Sequence, residues 1–151
     1  MDRRAFLFAL AGLPSLGAAA QEIEFARVVP GRKLIFPADH GAHPAFRSEW
    51  WYATGWLTLA DGSPLGFQTT FFRVRTGIGE ASSSAFAPRQ LILAHAALAD
   101  PSLGRLRHDE RAARAGFGRA GFAEDQTGVW IGDWKLEQHG QRYRAEVRSP
   151  E

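Results

Sequence analysis

The chain has 151 residues, and its 45% hydrophobic and 23% charged content indicates a folded protein with room for one core rather than a disordered chain. The formal net charge is only +2, and acidic residues dilute its densest arginine run, 105–119, so we do not expect nucleic-acid binding. There are no cysteines, which excludes disulfide bonds, cysteine-ligated zinc and thiol catalysis.

Residues 1–20 have the layout of an export signal peptide. A basic start is followed by an apolar run and by AAA at 18–20, and the run is too short and too broken to span a bilayer stably. The motif RRAFL at 3–7 resembles the twin-arginine export signal, and the alternative is an ordinary secretory signal. We therefore predict a periplasmic or secreted protein that is not an integral membrane protein.

The segment after the signal, 21–47, contains several turn-forming prolines and is predicted to be extended, with one possible short strand over 33–36. A β pattern begins at Ser48. Residues 49–59 are rich in aromatic side chains and threonine and end at an Asp-Gly pair, a strong hairpin signal, after which 65–75 form the returning strand.

The second half of the chain continues the β pattern. Residues 76–88 predict a loop, and the apolar run 90–99 predicts a buried strand. The arginine-rich run 105–119 fits either a polar edge strand or irregular structure. Residues 129–138 and 142–148 predict a second hairpin.

These elements predict an all-β fold, an antiparallel barrel or sandwich. They amount to five or six strands, whereas a small closed barrel usually has about eight. The last predicted strand ends three residues before the sequence does. We therefore expect 48–151 to be a β domain that is incomplete at its carboxyl end.

The two neighbouring tryptophans in EWWYAT, 49–54, point to opposite faces of one strand. The face with Trp51 is otherwise aliphatic or small and predicts core. The other face carries side chains that combine an apolar part with an N–H or O–H group. Such a face suits either the wall of a ligand cavity or an interface with a second sheet or domain. The residues predicted to line a cavity, two of them on the returning strand, are Trp50, Tyr52, Thr54, Trp56, Gln68 and Thr70.

Two ionisable residues are weak candidates for catalysis. His95 lies in an apolar run, where a neutral imidazole could donate or accept a proton, although a core histidine bonded to the backbone is the more common case. Glu49 is flanked by two tryptophans and could be a desolvated acid, or it could pair with Arg47.

Asp39, His40 and His43, followed by Glu49, superficially suggest a metal site. A metal needs three or four convergent ligands, so turn-forming and N–H-capping roles are expected instead, and no metal is predicted. There is also no nucleophile elbow and no phosphate-binding loop. No cofactor is predicted.

An ordered series of motifs resembles the carotenoid 1,2-hydratase / AttH-like family, whose members are often described as lipocalin-like or as predicted secreted hydrolases. The motifs are FPADHGAHP at 36–44, EWWY at 49–52, GFQ at 66–68, FAPRQL at 86–91 and VWIGDW at 129–134. The residues that carry the resemblance are Asp39, His40, His43, Glu49, Trp51, Gln90, Trp130, Asp133 and Trp134.

The resemblance implies a calycin-type fold with two lipocalin-like domains, of which this sequence would hold most of the first. It implies a long apolar ligand, a lipid or an isoprenoid, handled without a cofactor. The protein would be an AttH-like binding protein, a hydratase of acyclic carotenoids, or a structural accessory of an ABC-type transport system. The acid proposed for the hydratases lies later in the chain, so that role is not transferred to Glu49 or His95.

Overall fold

The protein is described by a computed structural model that covers residues 23–150, so the predicted export signal lies outside the described residues. Two four-stranded antiparallel sheets make up the fold, and each strand pairs with the next one in the chain. The first sheet contains β1 (Ser48–Thr58), β2 (Pro64–Arg75), β3 (Gln90–Asp100) and β4 (Arg105–Arg114). The second contains β5 (Ala120–Phe122), β6 (Gly128–Ile131), β7 (Trp134–His139) and β8 (Arg142–Glu146).

The prediction of an all-β antiparallel fold is confirmed, and the number of strands is corrected. The described residues form eight strands rather than five or six, and the two sheets are not joined into a closed barrel. The apolar run 90–99 is a strand as predicted, with Ile92 and Ala94 fully buried. The arginine-rich run holds a regular strand, β4, at the open edge of the first sheet.

Two local predictions were wrong. Residues 33–36 do not form a strand, because Asp39 draws this segment into a turn: its carboxylate accepts the N–H of Ile35, and its own N–H donates to the Ile35 carbonyl at 2.9 Å. The stretch 129–138 is two strands rather than one. Gly132, at a φ of 61°, supplies the left-handed conformation that turns the chain between β6 and β7.

The strand register defines an inner and an outer face of the first sheet. Trp51 lies opposite Phe71, and Phe71 lies opposite Ala94, on the inner face that the second sheet covers. Trp51 packs against the core, as predicted. The neighbouring Trp50 points to the outer face and remains 59% exposed.

The hydrophobic core lies between the two sheets, where β6 packs over β3 and β4. Most of its buried residues come from the second sheet, whose short strands carry a large side chain at almost every inward position. The core residues are Phe71, Ile92, Ala94, Ala120, Val129, Ile131, Trp134 and Leu136.

Arg111 joins the two sheets at one end of this core. Its guanidinium lies 4.5 Å from the centre of the Trp134 ring, forms an ion pair with Asp133 and donates to the carbonyl of Arg148 at 3.0 Å. The hydrogen bond from Arg111 holds the pKa of the Asp133 carboxyl below its ordinary value. Trp134 donates its Nε1–H to the same Arg148 carbonyl at 2.7 Å.

The segment before β1 crosses from the first sheet to the second. Ala42 donates its N–H to the carbonyl of Ala123 at 2.8 Å, and the Thr127 hydroxyl donates to the carbonyl of His40 at 3.0 Å. A Cβ on Gly41 would lie 2.1 Å from the carbonyl oxygen of Glu124, so only glycine fits this crossing.

Candidate functional site

The inner face of the first sheet is packed against the core along one part of its strands and borders a cleft along the next part. Register places Ala53, Thr69, Ala96 and Asp109 in one row across the four strands, next to the row that contains Trp51 and lies under the core. Alanine side chains fill little space, so this row fills less of the space between the sheets than the row of Trp51 and Phe71 does. The packed core therefore opens into a cleft.

The cleft has a volume of about 980 Å³, which is within the range of small-molecule sites. One wall is the inner face of the first sheet, and the opposite side is formed by Ala145, Val147 and Ser149 at the end of the second sheet. Its large apolar lining residues are Leu57, Phe67, Leu98, Leu103, Leu106 and Val147.

Charged side chains enter the cleft only from β4 among the described residues. Arg105, Arg107 and Asp109 lie at alternate positions of this strand, all on its inner face. Within residues 23–150 the two arginines make neither an ion pair nor a side-chain hydrogen bond, whereas one oxygen of Asp109 accepts the N–H of Glu110 at 2.8 Å. The wall that β4 contributes is thus predominantly cationic.

One buried hydroxyl in the cleft wall lacks a hydrogen-bond partner. Thr69 is 5% exposed, and its Oγ1 bonds to nothing within the described part of the chain. Buried hydroxyls are normally paired, because leaving one unpaired costs about 1–3 kcal/mol. Thr69 is among the residues that line the cleft, but its Oγ1 is itself buried.

Thr69→Val is expected to leave the free energy of unfolding unchanged or to raise it by up to about 1 kcal/mol, because the substitution removes a hydroxyl that has no partner. Thr127→Val is the matched control. Thr127 is also 5% exposed, but its hydroxyl is bonded, so its loss should cost about 1 kcal/mol. Urea denaturation of the ligand-free protein measures both, and an equal loss for the two variants would contradict the assignment of Thr69.

A polar cluster forms at the opposite end of the first sheet, around the fully buried Arg73. Its Nε donates to Glu49 Oε1 at 2.5 Å and its Nη1 to Gln90 Oε1 at 2.8 Å. Its Nη2 donates to the carbonyls of His43 and Phe46 at 3.1 and 2.9 Å. Arg73 therefore fastens the segment before β1 to the first three strands.

His43 extends this Arg73 cluster to two carboxylates. Its Nε2 lies 2.8 Å from Asp39 Oδ1 and its Nδ1 lies 3.2 Å from Glu49 Oε2. The N–H of Ile35 and a further hydrogen bond from His43 hold the pKa of Asp39 below its ordinary value. Both ring nitrogens lie within hydrogen-bond distance of a carboxylate, so His43 links Asp39 and Glu49 within the cluster.

The two weak catalytic candidates lie far apart in the first sheet. Glu49 belongs to the Arg73 cluster, so the predicted alternative of a pairing with Arg47 was wrong. The prediction that His95 is desolvated was also wrong. His95 sits on the outer face with its side chain 51% exposed, against the edge of Phe72 and 3.8 Å from Glu110. His95 is exposed although its neighbours in the sequence are apolar. Side chains alternate along a strand, and that of His95 points to the outer face.

The structure places the predicted ligand-binding residues together on the outer face. Register sets Tyr52 opposite Thr70 and Thr54 opposite Gln68, so the two strands share this face as expected. Tyr52 is 63% exposed and Trp56 73% exposed on this face, whereas Thr70 is 6% exposed. Of the predicted residues, only Gln68 also lines the cleft. Ligand binding by this face stays a prediction.

The residues that carry the family resemblance hold the fold together. Asp39, His43, Glu49 and Gln90 converge on the Arg73 cluster, and the turn-forming role predicted for Asp39 is confirmed. Trp51 and Trp134 pack in or against the core, and Asp133 pairs with Arg111. His40 stacks on Phe36 with ring centres 4.5 Å apart, and the Trp130 ring covers Gly121, where a Cβ would lie 2.5 Å from Cζ2.

Sequence reasoning missed the cleft residues other than Gln68, and it missed the centre of the Arg73 cluster. Thr69, Ala96 and Asp109 form one row of the lining only because of the register between three strands. Arg73 lies in the predicted returning strand 65–75, but nothing in that pattern indicated that its side chain would be buried. A buried arginine becomes predictable once several acceptors are known to surround it.

The fold and the cleft define a two-sheet antiparallel β protein with an open, largely apolar pocket between its sheets. The AttH-like family model matches residues 27–151. The chain therefore belongs to the AttH-like family, as its motifs suggested.

A solved structure supports this assignment. The chain is similar to an AttH-type protein of Nitrosomonas europaea whose crystal structure is known at 2.00 Å, with 48% sequence identity and a TM-score of 0.72. The similarity covers 83% of this chain and 37% of that protein, so the chain spans well under half of its relative's length. A search of curated proteins finds no match.

The described residues show neither a metal site nor a membrane-spanning helix. No group of three or more histidine, aspartate or glutamate side chains within 23–150 is arranged to hold a metal ion. In the same range, no helix has the length and the apolar character needed to cross a membrane.

Proposed function

We propose that this protein binds a long apolar molecule, a lipid or an isoprenoid, in the cleft between its sheets. The observation that carries the proposal is the cleft itself, because it is of ligand size and its lining combines leucine and phenylalanine side chains with a few polar residues. Such a combination of apolar wall and few polar groups is typical of small-molecule sites.

The cellular setting belongs to the same proposal. The signal-like residues 1–20 support export to the periplasm or beyond, with the twin-arginine route favoured by RRAFL at 3–7. An exported protein with an apolar cleft suits the transfer of a lipid between a membrane and a transport system, so components of an ABC-type transporter are proposed partners.

A hydratase activity is the second candidate function, and Asp109 is the observation that favours it. Adding water to an acyclic carotenoid needs an acid beside the double bond, and Asp109 is the one carboxylic acid among the described cleft residues. A hydroxylated product formed by the full-length protein from an acyclic carotenoid, and lost in Asp109→Asn, would establish this activity. Retention of the unaltered carotenoid would leave binding as the function.

A negative charge placed in the cleft should weaken apolar binding. Leu98→Glu is expected to lower the affinity for diphenylhexatriene, a rigid polyene that fluoresces in apolar surroundings, by about tenfold or more, because it puts a carboxylate into the apolar wall. Leu59→Glu is the matched control, since Leu59 is 40% exposed and Leu98 41%, but Leu59 is outside the cleft lining.

The measurement is a fluorescence titration of the full-length protein and both variants. Equal weakening by the two substitutions, or no binding of the polyene by the unmodified protein, would contradict binding in the cleft. Circular dichroism of both variants checks that they are folded.

A further inference from the structure

We propose that the molecule in the cleft is an amphiphile with an anionic head group, which Arg105 and Arg107 bind. This inference rests on the proposed function, because it assigns the chemical class of the ligand in the same cleft. It follows from the position of the two arginines, from their unpaired N–H donors and from the residues around them.

The two arginines stand where a head group would lie. Arg107 is opposite Leu98, and Arg105 is opposite Asp100, at the end of the inner face that is farthest from the Arg73 cluster. Leu57 and Leu98 are 49% and 41% exposed at this end, so the cleft opens to solvent here. An apolar chain in the cleft would therefore present its polar end to β4.

Both guanidinium groups are available to a ligand. Within 23–150 neither forms an ion pair or a side-chain hydrogen bond, although acidic side chains are near in sequence and register. Asp100 is engaged by Ser102, whose N–H and hydroxyl donate to its Oδ1 at 2.8 and 2.6 Å. Asp100 keeps its charge but is not among the lining residues, so Asp109 is the one carboxylate there and the lining carries an excess of one positive charge.

Guanidinium chemistry favours an oxyanion as the partner. An arginine side chain presents parallel N–H donors that match the two oxygens of a carboxylate or a phosphate, and such charge-assisted bonds are about twice as strong as neutral ones. A neutral alcohol has one oxygen and accepts from only part of this set of donors. A protonated amine is repelled by the positive charge of the guanidinium groups. Both a fatty acid and a lipid phosphate supply the required chemistry.

The test is a matched series of ligands with the same 18-carbon chain: oleic acid, oleyl phosphate, oleyl alcohol and oleylamine. Each competes with diphenylhexatriene for the full-length protein at constant ionic strength. We expect the tighter-binding of the two anions to have about tenfold higher affinity than the alcohol, and Arg105→Gln/Arg107→Gln to abolish that preference while leaving the alcohol's affinity unchanged. Arg142→Gln, an exposed arginine of β8 outside the cleft lining, should change nothing.

The outcomes separate the two proposals. Equal affinity for the acid, the phosphate and the alcohol, or an anion preference that survives in the double variant, would overturn the inference but leave apolar binding intact. Failure of all four ligands to compete would overturn the proposed function as well. Which of the two anions binds more tightly identifies the head group as carboxylate or phosphate.

Discussion

Replacing Arg73 by methionine is expected to lower the free energy of unfolding by about 3–5 kcal/mol. The Arg73 side chain is fully buried and donates to Glu49, to Gln90 and to two backbone carbonyls, so its loss removes the positive charge beside the Glu49 carboxylate and one donor from each of three other acceptors. Unpaired buried acceptors cost more than the lost contact itself. Guanidinium chloride denaturation measures the change.

Arg75→Met is the control for the Arg73 substitution. Arg75 is the second arginine of the same strand and pairs with Glu80 at 2.9 Å, but both side chains are partly exposed, at 22% and 28%. Partly exposed ion pairs contribute about 0–1 kcal/mol, so this change should be small. Equal losses for the two variants would show that the buried contacts of Arg73 contribute no more to stability than a partly exposed ion pair does.

Trp134→Ala is expected to cost about 3–5 kcal/mol, the range for truncating a large core side chain. Trp134 is fully buried between the sheets, and its ring also carries the contact with Arg111 and the hydrogen bond to the carbonyl of Arg148. Its removal therefore opens a cavity and loosens the junction of the two sheets. The same denaturation experiment reports the loss.

Trp56→Ala provides the comparison within the same residue type. Trp56 is 73% exposed on the outer face, where substitutions usually change stability by about 0.5 kcal/mol or less. A loss at Trp56 as large as that at Trp134 would mean that the outer face is covered in the folded protein. It would also contradict the placement of the core.

The alternation of side chains along β1 was predictable, but the face that borders the cleft was not. Period-two patterning correctly put Trp51 on the core face and paired Tyr52 and Thr54 with the next strand. It could not say which face borders a cavity, because that depends on how far the second sheet extends. The inner face, which its aliphatic character assigned to the core, is both core and cleft wall: it is packed at Trp51 and open at Leu57.

The second sheet was the least predictable part of the fold. Its strand β5 has three residues, too few for a periodic signal, and a single glycine turns the chain between β6 and β7. The contacts of Arg73 are equally hidden, since they join residues as distant in sequence as His43 and Gln90. Long-range contacts of this kind are set by strand register, which one sequence specifies only through its hydrophobic pattern.

Photo-crosslinking tests most directly whether the cleft is the binding site. A long-chain alcohol with a diazirine at its terminal carbon would be bound to the full-length protein, irradiated, and the modified peptides identified by mass spectrometry. The account predicts adducts on cleft residues, at 96–98, 103–107 and 145–147. Adducts confined to Trp50, Tyr52 and Trp56 would place the ligand on the outer face and contradict binding between the sheets.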